Sequence, residues 1–255
     1  MSRPLALVTG GLHRIGAAIA ARLAREGYAL AIHKRREGEP DAVLAEALAE
    51  TGAEWASFAA DLADRDQVDA LVPAVTAHFG RAPVLLVNNA SHFAGGDWQG
   101  LTGAELAAAM QVNHHAPVML THAIVRANES SGVRPAVVNI LDQRVVNPVP
   151  DQIAYGLSKQ ALYNAITTMA ANLGGKARIN AVAPGLTLPT EEYSDSQMER
   201  LAKLMPLGLL PTPDQVADAV LWLARAEAVT GQTIFVDGGA HLVKFARDFV
   251  ALERD

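Results

Sequence analysis

Tyr155 and Lys159 stand four residues apart in Tyr155-Gly156-Leu157-Ser158-Lys159, a spacing that places both on one face of a helix. A phenol with a pKa of about 10 is a poor acid or base at neutral pH. A nearby ammonium stabilises the phenolate and lowers that pKa. The pair can then deliver a proton to an oxyanion or nitrogen that develops as hydride arrives, while the lysine holds ribose hydroxyls. Such a spacing arises often by accident. Its position after an apolar run, Ala136 to Leu141, gives it weight, and Asp142 sits at the end of that run.

A second group of residues has the types needed to hold phosphate. Thr9-Gly10-Gly11-Leu12-His13-Arg14-Ile15-Gly16 links the first apolar run to the first helical stretch. Glycines permit a tight turn and close approach of a pyrophosphate, and the helix N-terminus adds unpaired N–H groups and a favourable dipole. Arg14 stands where such turns commonly have glycine. Its guanidinium can make a forked contact with a phosphate or a polar planar substrate. A glycine-rich turn without a ligand is the alternative. The second apolar run ends in His33-Lys34-Arg35-Arg36, followed by Glu37. An acid ordinarily holds an unphosphorylated ribose at this point. Bases favour a 2′-phosphate instead, unless they form only a solvated turn. Asp61-Leu62 follows the third run and either covers an adenine ring or caps the next helix.

The elements that must position these residues alternate along the chain. Strands are expected at 5–9, 28–33, 54–59, 84–87, 136–141, 178–183 and 233–236. Helices are expected at 15–26, 42–50, 67–79, 103–114, 116–129, 153–173 and 214–224. The strands are short and read as apolar on both faces, which predicts an α/β fold with a doubly wound, mostly parallel sheet covered by helices on both sides. No repeat or linker interrupts the pattern, so residues 1–255 are expected to form a single domain. Ligands of such sheets bind beyond the carboxyl ends of the strands, where each motif above falls.

Composition narrows the partners. Half of the 255 residues are hydrophobic, enough for a large core, and the formal net charge is −6. That balance argues against a duplex nucleic-acid partner. There are no cysteines, which removes disulfides and thiolate metal sites. No apolar run has the length of a membrane span and no separate signal-peptide region precedes the first strand, so a cytoplasmic protein is expected. His114-His115 are adjacent and cannot share a helix face, and no His-Glu-x-x-His spacing occurs, so no metal is expected.

Taken together, Thr9–Gly16, Asn88-Asn89-Ala90, Asn113, Tyr155 with Lys159, Pro184-Gly185 and Asp237-Gly238-Gly239 resemble the short-chain dehydrogenase/reductases over residues 4–240. The resemblance implies NADP(H) held by Gly10, His13, Arg14, Ile15, Gly16, His33, Arg35, Arg36, Asp61, Leu62, Asn89, Ala90, Ser91, Tyr155, Lys159, Pro184, Gly185 and Thr187. It implies catalysis by Tyr155, Lys159, Asn113 and the residue at 142, with Asn113 holding a water that links Lys159 to solvent. It also implies a homotetramer formed through the long helices.

Two departures from the common pattern, Arg14 for a glycine and Asp142 for a serine, resemble the pteridine reductase and dihydromonapterin/dihydrofolate reductase branch. Asn89-Ala90-Ser91-His92-Phe93 and Pro184-Gly185-Leu186-Thr187 fit that branch as well. Arg14, Phe93, Asp142, Tyr155 and Leu186 are then the expected substrate contacts. Phe93 offers a flat face to a pterin, or else packs as part of a lid. A carboxyl group at 142, through Tyr155 or water, can supply a proton to a ring nitrogen. Beside a developing alkoxide it is repulsive. Its alternative role is a turn acid capping a backbone N–H. The expected activity is NADPH-dependent reduction of a dihydropterin or dihydrofolate-like small molecule. Reduction of a ketone, sugar or 3-oxoacyl substrate is the alternative, and a non-enzymatic cofactor sensor a third. Residues 186–204 are expected to form a lid over the substrate. The tail, 241–255, is expected to pack on a neighbouring subunit or to fray.

Overall fold

The computed structural model describes residues 3–93 and 96–254. Seven strands form one fully parallel sheet: β1 (Leu5–Thr9), β2 (Ala29–Lys34), β3 (Trp55–Ala59), β4 (Leu85–Asn88), β5 (Ala136–Ile140), β6 (Arg178–Pro184) and β7 (Thr233–Val236). Their spatial order is β3-β2-β1-β4-β5-β6-β7, so the winding reverses between β1 and β4. The helices are α1 (Arg14–Arg25), α2 (Ala42–Thr51), α3 (Arg65–Phe79), α4 (Gly103–Met110), α5 (Ala116–Asn128), α6 (Ile153–Leu173), α7 (Asp195–Leu204) and α8 (Pro213–Arg225).

Strand periodicity explains why both faces are covered. Leu5 and Leu7 point into one core with Leu71, Val75, Leu120, Ile124 and Leu162 of α3, α5 and α6. Ala6 and Val8 point into the other with Ile19, Leu23, Leu44, Val220 and Leu223 of α1, α2 and α8. The edge strand β3 departs from the expectation of strands apolar on both faces. Trp55, Ser57 and Ala59 are exposed while Ala56 and Phe58 face inwards, because an edge strand is covered on one side only.

Three further differences concern the site. The helix expected over 103–114 ends at Met110, and Gln111–His115 form a single π-helical turn that carries Asn113. Such turns insert one extra residue and re-aim a side chain. Within the expected lid lies α7, whose start is capped by Ser194 Oγ accepting from the Gln197 N–H. Leu201 and Met205 of this region bury themselves against Ala240 and Phe249. The tail folds back on its own chain, with single turns at Ala240–Leu242 and Phe249–Ala251.

The β1–α1 turn is tightly determined. A Cβ on Gly16 would lie 2.1 Å from the Gly10 carbonyl oxygen. Arg14 adopts φ +55°, a conformation that suits glycine. Its N–H donates to Asp41 Oδ2 at 2.6 Å, and Asp41 Oδ1 also meets His13 Nδ1 at 2.7 Å. Asp41 thus holds the strained residue in place. Gly16→Ala is expected to destroy the turn, seen as loss of dinucleotide binding by calorimetry. Arg14→Gly is expected to raise stability in urea unfolding by up to about 1 kcal/mol, since it relieves the left-handed backbone.

Candidate active site

The carboxyl ends of the strands surround a cleft of about 860 Å³. Thr9 closes its floor. Its hydroxyl donates to Val87 O and accepts from the N–H groups of Asn89 (2.9 Å) and Ala90 (3.0 Å), and Asn89 Nδ2 returns to Thr9 O and Gly10 O. Most of the residues expected to hold a dinucleotide line this cleft: Gly10, His13, Arg14, Ile15, Gly16, His33, Arg35, Asp61, Leu62, Asn89, Ala90, Ser91, Tyr155, Lys159, Pro184 and Gly185. Phe93 and Asp142 line it as well. Arg36 lines a side pocket of about 310 Å³ with Lys34, Arg35 and Glu37. Leu186 and Thr187 line an adjoining pocket of about 190 Å³ together with Tyr193, Asp248 and Phe249.

His33 does not present a charge to a phosphate. It is buried, its Nδ1 accepts from the Gly10 N–H at 3.1 Å, and its Nε2 meets Ala60 O at 2.9 Å. Burial pushes its pKa down, so the ring is a neutral brace between the turn and β3. The cations facing this end are Arg35 and Arg36, both exposed and, among the described residues, without an ion pair. Glu37 is instead engaged by Lys34. Asp61 Oδ1 accepts from the Ala63 N–H, while the cap of α3 is Asp64. Asn113 is buried behind the cleft. Its side chain joins Ser91 Oγ, the His92 backbone and Ser158 Oγ.

The reacting end is built around Asp142. Its Oδ2 accepts from the Tyr155 hydroxyl at 3.0 Å. Both carboxylate oxygens also accept from Arg144, Oδ1 from Nε at 2.9 Å and Oδ2 from Nη2 at 2.7 Å, and Oδ1 caps the Arg144 N–H at 2.8 Å. Asp142 is thus a turn cap and a partner of Tyr155 at once. Burial alone would raise its pKa, but the charge and hydrogen bonds of Arg144 outweigh that and hold the carboxyl below its ordinary range. Arg144 was not singled out from the sequence. The available signal was its place two residues after Asp142, the reach of an acid that caps a turn.

Tyr155 departs from the sequence expectation. Burial, and then the Asp142 carboxylate, push its pKa well above the ordinary phenol value, against the pull of Arg144. The Lys159 ammonium donates to Ile140 O at 2.8 Å and lies 5.8 Å from the Tyr155 ring centroid. Burial lowers Lys159 to about 8, an effect partly offset by Asp142. The phenol is therefore a protonated donor rather than a ready base. Phe93, more than half exposed, stands edge-on to the Tyr155 ring with centroids 4.9 Å apart.

A family profile described as enoyl-(acyl carrier protein) reductase matches residues 11–241. A Streptomyces violaceoruber protein named as ketoacyl reductase 2 of the granaticin polyketide synthase is 36% identical, over 94% of this chain and 97% of that one. The 3-oxoacyl-(acyl-carrier-protein) reductase FabG of Staphylococcus aureus is 30% identical, over 93% and 98%. The solved structure of FolM alternative dihydrofolate reductase 1 from Brucella canis, complexed with NADP, is 36% identical with a TM-score of 0.85, covering 95% of this chain and 96% of that one. A parallel sheet with this cleft, the Tyr155–Lys159 pair and matches of this extent have one reading: the chain belongs to the short-chain dehydrogenase/reductase family and is an NAD(P)-dependent oxidoreductase.

Proposed function

We propose that the chain is an NADPH-dependent reductase of a dihydropterin or dihydrofolate-like substrate. One observation carries the reading: the Tyr155 hydroxyl donates to an Asp142 carboxylate that Arg144 keeps ionised. Oxidation of an alcohol needs the phenol as a base, which a carboxylate at hydrogen-bond distance opposes. Reduction starts from the protonated phenol, which is the state it occupies, and the phenolate left by the transfer is opposed by the same carboxylate until it regains a proton, with the Lys159 ammonium as the nearby source. A developing alkoxide would meet the same carboxylate and be repelled. A ring nitrogen, gaining electron density as the adjacent carbon is reduced, takes the Tyr155 proton without bringing a full oxyanion to Asp142. Asp142 itself is not the acid, as the sequence had suggested, because Arg144 holds it deprotonated. Its work is to aim the Tyr155 hydroxyl.

The residues present fit the dinucleotide. Gly10, Gly16 and the N-terminus of α1 cradle a pyrophosphate beside Ile15, and Arg35 and Arg36 take a 2′-phosphate with His13 nearby. Asp61 and Leu62 flank the adenine, and Asn89, Ala90 and Ser91 line the middle of the cleft. Lys159 holds the nicotinamide ribose, with Pro184, Gly185 and Thr187 against the carboxamide. When bound, the nicotinamide supplies hydride. His33 braces the turn from behind and Asn113 fixes the Ser91–His92 backbone. Phe93, Arg14 and Leu186 form the walls for a flat heterocycle, with Phe93 free to leave its edge-on contact and stack. The likeness to FolM supports this substrate. The names of the sequence relatives favour a second reading, reduction of a 3-oxoacyl or other carbonyl substrate.

The same reading makes the protein a cytoplasmic homotetramer. Among the described residues no helix is long and apolar enough to cross a membrane. Met119 on α5 and Leu157 on α6 are exposed apolar residues on the helices that would pair. Sedimentation should give four times the 26.9 kDa chain mass, and Leu157→Asp should lower it.

Purified protein is expected to oxidise NADPH with dihydropterins or dihydrofolate, and Tyr155→Phe to lose at least about tenfold in kcat. Turnover of ketones or 3-oxoacyl thioesters with none on pterins would select the second reading. Arg35→Ala and Arg36→Ala are each expected to raise KM for NADPH about tenfold and leave KM for NADH unchanged, since each removes a charge-assisted hydrogen bond to phosphate. Lys159 is charged below about 8 and neutral above it, so kcat is expected to fall as pH rises through that value. A flat profile to pH 10 would remove the ammonium from the mechanism.

A further inference from the structure

We propose that Arg144 is a positioning residue that couples the C-terminal segment to the proton donor, gripping Asp142 on one side and Asp248 on the other. The proposal rests on Tyr155 as the donor and not on the identity of the substrate.

Arg144 has nearly all its donors engaged. Beyond its two bonds to Asp142, Nη1 meets both Gln152 Oε1, at 2.9 Å, and Asp248 Oδ2. Its guanidinium lies 5.5 Å from the Tyr155 ring centroid. Both carboxylates are largely withdrawn from solvent, at 15% and 8% side-chain exposure. Two such acids on one cation are compatible only while that cation is present.

The segment that carries Asp248 is held at three further points. Its N–H donates to Asp151 Oδ2 at 2.8 Å, and the neighbouring Arg247 pairs with Asp151 at 3.0 Å. Phe249 is buried against Leu201 and Met205, and Gln197 Nε2 of α7 donates to Leu252 O at 2.6 Å. Asp248, Phe249 and Val250 thereby line the 190 Å³ pocket together with Leu186, Tyr193, Asp142 and Arg144. The tail is thus a strap across the chain's own substrate pocket, and its buckle is the residue that keeps Asp142 on Tyr155.

The groups that face Arg144 come from every element around it. Asp142 comes from the end of β5, Tyr155 from α6, Asp151 from the loop before α6, Tyr193 from the stretch before α7, and Asp248 from the tail. Lys159 faces Asp142 from α6, and Arg247 faces Asp151. Removing Arg144 leaves two acids in one pocket, so one of them takes a proton at a higher pH. The Asp142–Tyr155 contact then loses its charge.

The experiment compares Arg144→Met, Arg144→Lys and Asp248→Ala with the parent full-length protein. Amide hydrogen exchange of the peptide 245–254 needs no substrate. It is expected to speed up about tenfold in Arg144→Met and Asp248→Ala, to be partly restored in Arg144→Lys, and to be unchanged in Tyr155→Phe. The pH profile of kcat/KM is read with whichever panel substrate turns over. Its acid limb is expected to move up by about one pH unit in Arg144→Met and to stay in place in Asp248→Ala. In Asp248→Ala, KM for the reducible substrate should rise about tenfold and by more than kcat falls, with KM for NADPH unchanged. A parental acid limb in Arg144→Met, or unchanged exchange in both variants, would overturn the proposal. If Arg144→Met does not fold, Arg144→Lys gives the limb and Asp248→Ala the exchange. If no pterin turns over while exchange responds as expected, the pterin reading fails and the coupling stands.

Discussion

The geometry of the reacting end depends on how β1 and β4 are tied where the winding of the sheet reverses. Parallel strands that diverge at this point leave a crevice, and a crevice in a sheet exposes backbone groups that have lost their ladder partners. Thr9 and Asn89 satisfy those groups from both sides. Each net hydrogen bond contributes about 1 kcal/mol, while an orphaned buried group costs more than that. The clasp fixes the Gly10 carbonyl next to Gly16 and, through Asn89 and Ala90, the path of Ser91 to Phe93. A second tie runs deeper: Asn88 and Asn139 stand opposite each other on β4 and β5, with Asn88 Nδ2 donating to Asn139 Oδ1, and Asn139 Nδ2 donates to the backbone carbonyl of Asn180 on β6. Buried amide groups bonded across neighbouring strands resist a slip of register, because a slip would break the bonds that they make.

Against that rigid floor, the Asp142–Arg144–Asp248 cluster is a costly structure. Burying three charges gains little net stability over apolar side chains of similar size, whereas deleting one member is strongly destabilising. Its value lies in the chemical state it imposes. It keeps Asp142 ionised in a place where burial alone would protonate it, and an ionised Asp142 can only accept from Tyr155. The same cluster ties three segments far apart in sequence to one point, the end of β5, the start of α6 and the tail.

Much of this was legible in the residues, for reasons that differ between parts. The sheet was readable because buried parallel strands must be short, apolar and separated by helices, and β1, α6 and β7 lie where periodicity places them. The phosphate turn was readable because glycine at 10 and 16 answers a steric demand that no other residue meets. The helix α7 was missed, although Ser194 as a cap and Leu201 and Met205 at helical spacing signalled it. The segment's acidic start looked like loop, and the tail that buries its apolar face lies far along the chain. His33 lines the cleft, but sequence shows only a base at the end of β2 and not the two backbone groups that engage its ring nitrogens. Tyr155 was misjudged for the same reason. Lys159 is adjacent on the helix, but Asp142, brought in by the strand, lies closer to the hydroxyl and carries the opposite effect.

That reversal decides what the family's generic pair does in this chain. A tyrosine–lysine pair by itself is symmetric, able to give a proton in reduction or take one in oxidation. A unit negative charge about 3 Å from the phenolic oxygen is worth roughly 5 kcal/mol against the phenolate at an effective dielectric near 20. Arg144 returns part of that, being drawn to any negative charge on Tyr155 as it is to Asp142. The balance still leaves the phenol protonated. A serine at 142 would impose no such bias, since a neutral hydroxyl can donate or accept as the reaction requires. An ionised acid there opposes the phenolate in both directions, as the base that oxidation starts from and as the species left once a proton has been given. The protonation state of Tyr155 is thus set at the end of β5, by a carboxylate and by the arginine that keeps it ionised.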